Sequence, residues 1–91
     1  MLYVYRLEWN DWNEEHIARH GVIPDEVEEA VFDNSYDASR ARNEIYRLIG
    51  LTNGGRYLAL FLAPRSGELF YEVRARDASD GERRLYRQRV S

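Results

Sequence analysis

Apolar and polar positions along this chain of 91 residues repeat with two different periods, and the switches between them predict its elements. Residues 2–9 alternate with period two and are rich in aromatics, which predicts an opening strand carrying Tyr3, Tyr5 and Leu7 on one face. Asp11, with Glu14 three residues on, reads as a capping box that opens a helix over about 12–20, and Gly21 reads as its left-handed C-terminal cap. Pro24 suits the first position of a second helix, and Asp25 and Glu26 in its first turn complement the helix dipole. Val27, Ala30 and Val31 form its buried stripe. Asp25, Glu28, Glu29 and Asp33 are left as an outer acidic ridge, either a solvated surface or a docking site for a basic partner.

The remainder reads as an antiparallel meander and a closing helix. Tyr36 to Arg42 predicts a weak strand and Glu44 to Thr52 a stronger one. Asn53-Gly54-Gly55 is a turn that admits positive φ, and Arg56 to Ala63 follows, apolar on both faces as a strand covered on both sides would be. After the Pro64-Arg65-Ser66-Gly67 turn, Glu68 to Arg76 alternates. Leu69, Tyr71, Val73 and Ala75 are predicted on a core face, and Glu68, Phe70, Glu72, Arg74 and Arg76 on a mostly polar one. Ser79-Asp80-Gly81-Glu82 is a capping box for a C-terminal helix bearing Arg83, Arg84, Arg87 and Arg89. The order β-α-α-β-β-β-β-α predicts one α+β domain over 1–91: two N-terminal helices and one C-terminal helix packed on one side of a mostly antiparallel sheet.

Composition narrows the function. The chain has no Cys, which removes disulfide frameworks, thiolate metal sites and cysteine nucleophiles and suits a reducing cytoplasm. Two His alone make a poor metal site, and no cofactor motif or Gly-rich phosphate loop is present. The longest apolar run, Tyr57 to Ala63, is far short of the roughly 20 residues that span a bilayer, so no membrane is expected. All 13 basic residues are Arg, a bias that suits phosphate recognition and that genomic base composition also produces. The net charge of −3 hides an asymmetry: residues 1–40 hold three Arg against ten acids (−7), and residues 41–91 hold ten Arg against six acids (+4). A basic C-terminal face can hold phosphates on a chain that is acidic overall.

Three groups of residues carry candidate chemistry. Arg74 and Arg76 are predicted on one strand face with Glu72, Arg47 comes from an earlier strand, and Arg83 follows Arg76 after a short turn, so they could converge on one phosphate or form ordinary surface ion pairs. Arg47 alternates with Ile45, Ile49 and Leu51, so it needs either an acid, with Glu44 and Glu72 as candidates, or an anionic ligand. His16 and His20 lie four apart on one helix face, one turn after Trp12. Imidazole suits a general acid or base, and the same stripe also suits packing on a sheet. Of the seven Tyr, most are expected in packing; Tyr46 and Tyr86 are near the arginines in sequence and could stack a base or donate a proton.

Taken in order, Trp9, Arg19-His20-Gly21-Val22, the helix Glu26 to Phe32 with Val31-Phe32-Asp33, Tyr46-Arg47-Leu48-Ile49-Gly50, Asn53-Gly54-Gly55, and Ala75-Arg76-Asp77-Ala78 followed by Glu82-Arg83 resemble the BrnT-like toxins of the RelE superfamily. These are the ribonuclease halves of bacterial type II toxin–antitoxin pairs. The resemblance covers nearly the whole chain, with Arg19 where the family usually has Lys. It implies a RelE-like fold and metal-independent RNA cleavage, ribosome-associated mRNA included, neutralised by a small cognate antitoxin. Carried over, Arg47, Arg76 and Arg83 match the family's recurrent arginines and His20 its helix-ending histidine. Arg47 and Arg76 are then expected to hold and stabilise the scissile phosphate with Arg83 in support, the proton-transfer group being Glu72, His20 or Tyr46. Arg74, Arg87, Tyr46 and Tyr86 are expected to contact RNA. The alternative is a non-catalytic protein- or RNA-binding module on the same fold.

Overall fold

A computed structural model of the chain describes residues 2–67 and 69–90; Glu68, expected at the head of the last strand, lies outside the described residues. The elements run β1 (Arg6–Glu8), α1 (Asp11–Ala18), α2 (Pro24–Glu28), β2 (Tyr36–Arg40), β3 (Tyr46–Leu51), β4 (Tyr57–Pro64), β5 (Leu69–Asp77) and α3 (Asp80–Val90). α2 runs on into a π-helical turn, Glu29–Asp33. The strands form one mixed sheet in the order β1-β5-β4-β3-β2, antiparallel except that β1 joins the far edge parallel to β5.

Local chemistry accounts for the helix ends. Asn10, one residue before the expected Asp11, caps α1: its side chain accepts from the Asn13 N–H at 3.0 Å, and the Asn13 side chain accepts from the Asn10 N–H at 2.9 Å. The other end closes as a Schellman motif, with Val22 N–H on the Ile17 carbonyl at 3.2 Å and Gly21 N–H on the Ala18 carbonyl at 2.9 Å. Gly21 stands at φ +70°, where a side chain would be strained. Pro24 opens α2, and Ser79 and Glu82 exchange the two bonds of the expected capping box at the start of α3.

The core lies on one face of the sheet. Ile17, Val22, Val27 and Ala30 are fully buried against Leu48, Leu58, Leu60 and Leu62 of the two central strands. The π-helical turn after α2 runs so close to β3 that a Cβ on Gly50 would stand 2.9 Å from the Ala30 carbonyl oxygen. α3 does not join the other helices on that face, as the sequence pattern suggested. It packs on β2 and β3 from the opposite side, where its Glu82 meets Arg47, whose strand neighbour Leu48 points into the core. Helices therefore cover both faces, as the two-sided apolar pattern of β4 requires.

β5 departs from the expected alternation for an identifiable reason. Arg74 is opposite Phe61, but Leu62 is opposite Glu72, so Val73 is an extra residue in a β-bulge. The bulge reverses which face each parity occupies. Ala75 stays with Leu60 on the core face, and so do Phe70 and Glu72, paired with Pro64 and Leu62, whereas Arg74 and Arg76 stand with Phe61 and Ala59 under α3. The expected grouping of Glu72 with Arg74 and Arg76 is thus corrected: the thickness of the sheet separates them.

Candidate functional site

Across four adjacent strands the register lines up Ser39, Arg47, Phe61 and Arg74, and one step along the sheet it places Arg76 opposite Ala59. Phe61 is the floor of this row. The Arg74 guanidinium lies over its ring, 4.3 Å from the centroid, and that of Arg76 lies 5.4 Å away. Arg42, Arg47, Arg74 and Arg76 line one concave surface together with Phe61 and the backbone turn after β2. It adjoins a cleft of about 400 Å³ lined by His16, Ala41, Arg42, Asn43, Ile45, Phe61, Val73 and Arg74. The connection that walls the cleft holds Asn43 and Glu44 at φ 58° and 61°, left-handed conformations in two successive residues that carry side chains.

One carboxylate pairs with two of these guanidiniums. Glu82 accepts from Arg76 at 2.8 and 3.0 Å and from Arg47 at 3.3 Å, while also capping α3 through the Ser79 N–H. The paired Arg76 guanidinium holds the Glu82 carboxyl well below the usual carboxylate range, at about 2. Glu82 is therefore the acid that Arg47 needed, rather than Glu44 or Glu72. Its capping-box position was readable in the sequence, but its second role depends on where α3 crosses β3. Arg47 Nε is buried with no hydrogen-bond partner, and Arg74 and Arg42 add positive charge to the same wall. The surface thus carries four arginines, two of them paired with one carboxylate, an electrostatic setting for a phosphate or another anion.

Other residues singled out from the sequence lie elsewhere. Glu72 is fully buried among the core side chains, and neither carboxylate oxygen has a hydrogen-bond partner. Burial raises its pKa well above 4.5, against the opposing pull of the Phe61 and Arg74 backbone amides. His20 is exposed at the end of α1, where its carbonyl and that of Gly21 accept from Arg56, which also pairs with Glu26 and Asp77. Tyr46 is on the core face with its ring edge against Phe70. Tyr86 is buried under α3, donating to the Ser35 carbonyl and meeting Tyr57 edge-on. Arg83 covers the Tyr57 ring beside Arg56 and Asp77, and Arg87 is an exposed residue of α3; neither lines the cleft.

The imidazole that lines the cleft is His16, which stacks on Trp12 with ring centroids 4.9 Å apart and planes 6° from parallel. Arg42 and Phe61 were not singled out as site residues. Phe61 sat unremarked in an apolar strand, and only the strand register reveals it as the platform between Arg47 and Arg74. Among the described residues no three His, Asp or Glu side chains come together as a metal-ion site. Among the described residues no helix is long and apolar enough to cross a membrane. Compared with models of known protein families and with curated protein sequences, the chain matches none.

Proposed function

We propose that this chain binds RNA through its phosphates at the arginine cleft and cleaves it as a metal-independent endoribonuclease, the toxin half of a type II toxin–antitoxin pair on a BrnT-like, RelE-like fold. The observation that carries the reading is the register row Arg47–Phe61–Arg74, with Arg76 one step on: three guanidiniums on one side of the sheet, of which Glu82 pairs with those of Arg47 and Arg76. Arg47 and Arg76, which the resemblance matches to the family's recurrent arginines, meet at that carboxylate.

In the proposed reaction the 2′-hydroxyl attacks the adjacent phosphorus, its proton passes to His16, and the bond from phosphorus to the 5′-oxygen breaks as that oxygen takes a proton from solvent water. The products are a 2′,3′-cyclic phosphate and a 5′-hydroxyl. Guanidiniums fixed before the reaction stabilise the charge that grows on the non-bridging oxygens without reorganising. His16 replaces Glu72, His20 and Tyr46 as the proton acceptor because it lines the cleft. The cognate antitoxin, in this reading, presents acids to the arginines in the cytoplasm.

A second reading, a binding module that does not cleave, is favoured by the burial of Glu72 and the placement of His20 outside the cleft, which leave few proton-transfer groups near the arginines. Incubation of purified protein with a defined RNA in EDTA, alone and with ribosomes, separates the two. Cyclic-phosphate ends that disappear in Arg47→Ala, Arg74→Ala and His16→Ala support the nuclease. Arginine-dependent binding without new ends supports the module.

A further inference from the structure

The arginine row explains where a phosphate would sit and leaves Trp12 unexplained. Trp12 is 59% exposed on α1 although an indole is among the side chains that gain most from burial. It lies one helical turn before His16 and stacks flat on it, and His16 lines the cleft beside Phe61 and Arg74. Phe61, which lines the cleft with His16, is only 8% exposed and has two guanidiniums over its ring. Trp12 does not line the cleft itself, but through its stack on His16 it continues the cleft's wall as an exposed aromatic face.

We infer that the Trp12–His16 stack is a nucleobase platform, which receives the base of a single-stranded nucleotide whose neighbouring phosphate is held by Arg47 and Arg74. This inference rests on the phosphate-binding reading of the cleft and deepens it by naming the form of nucleic acid bound. Every base has a π-face, so stacking on an exposed indole is tolerant of sequence. A base can reach Trp12 only when it is splayed out of its own stack, which a duplex resists and a single strand permits. The cleft volume of about 400 Å³ is within the roughly 300–1,000 Å³ typical of small-ligand sites. One splayed nucleotide is the matching occupant.

The test uses a 5′-labelled deoxythymidine 12-mer, which has no 2′-hydroxyl and so is not cut by the proposed route, and an abasic 12-mer of equal charge. Fluorescence anisotropy at fixed salt gives the affinity of each for wild type, Trp12→Ala, Trp12→Phe and Arg74→Ala, with folding checked by circular dichroism. The expected result is a loss of roughly five-fold or more for Trp12→Ala on the thymidine strand, partial rescue by Trp12→Phe, and no change on the abasic strand. A paired duplex of the same length should be indifferent to Trp12. Equal binding of both strands by the wild type, or the same loss on the abasic strand, overturns the platform and leaves the arginine site intact. No binding of either strand, or no effect of Arg74→Ala, overturns the phosphate reading, and the platform falls with it.

Discussion

Replacing Glu72 by Gln should stabilise the protein progressively as pH rises, because the wild-type residue works against the fold through its proton. Glu72 is fully buried, its carboxylate oxygens have no hydrogen-bond partner, and burial holds its pKa well above 4.5. Below pH 4.5 the carboxyl is protonated in folded and unfolded chains alike and adds nothing to the pH dependence of stability. Above that value the unfolded chain releases the proton and the folded chain keeps it. Stability then falls with rising pH by about 1.4 kcal/mol per unit until the folded pKa is passed. Gln has no proton to lose at nearly the same volume. The difference in unfolding free energy between Glu72→Gln and wild type should therefore be flat at acid pH and climb with that slope above it. Guanidinium chloride unfolding of both proteins, followed by circular dichroism at half-unit steps from about pH 3.5 to 8 and at constant ionic strength, measures the difference directly. A difference that does not change with pH would refute the reasoning, since it would mean that Glu72 ionises as easily in the folded chain as in the unfolded one.

Glu82 should behave in the opposite sense. Its folded pKa of about 2 stabilises the protein above the ordinary 4.5, and that contribution is lost as pH falls between the two values. Glu82→Gln should cost about 2–3 kcal/mol at pH 7 and remove this part of the acid limb from denaturation curves. Arg56→Met should lower stability by about 2 kcal/mol, seen as a fall in Tm, because the guanidinium donates to the His20 and Gly21 carbonyls at 3.2 and 2.8 Å and pairs with Glu26 and Asp77. Faster amide exchange at Val22 would localise that loss to the end of α1. Gly50→Ala should cost about 1–3 kcal/mol by thermal unfolding, since the added methyl would meet the Ala30 carbonyl oxygen at 2.9 Å and backbone must move.

Features set by a few neighbouring residues were legible in the sequence. The Gly21 stop, the Pro24 start and the Ser79–Glu82 capping box all depend on groups within one or two turns, and each is present. The cap falls on Asn10 rather than Asp11, and its partner Asn13 also donates to the Glu8 carbonyl of β1 at 2.9 Å, a tie from the helix start to the strand that Glu14, which has no donor when ionised, could not make. What was not legible depends on register between distant strands. One extra residue, Val73, reverses the faces of half of β5, so alternation alone put Glu72 beside the arginines and Phe70 outside the core. The same register joins Arg47 to Phe61 and Arg74, and the crossing of α3 supplies Glu82, a partner 35 residues from Arg47. His16 and His20 share a helix face in sequence, yet only His16 lines the cleft, because α1 ends at Ala18 and His20 lies in the turn that closes it.

The parallel pairing of β1 with β5 has a consequence for the order of assembly. β2 to β5 are joined by short connections and pair with their sequence neighbours, but Arg6 faces Leu69 and Leu7 faces Phe70. Closing so long a loop is entropically costly before any contact repays it, and distant pairings slow folding. During synthesis the first strand must wait, without a sheet to join, until residues 69–71 have left the ribosome. The arginine row, drawn from β3, β4 and β5, needs nothing from β1, whereas His16 and Trp12 come from α1 directly behind it. An anion-binding surface should therefore form in the folding chain before the helix that carries the imidazole and the indole is fixed beside it.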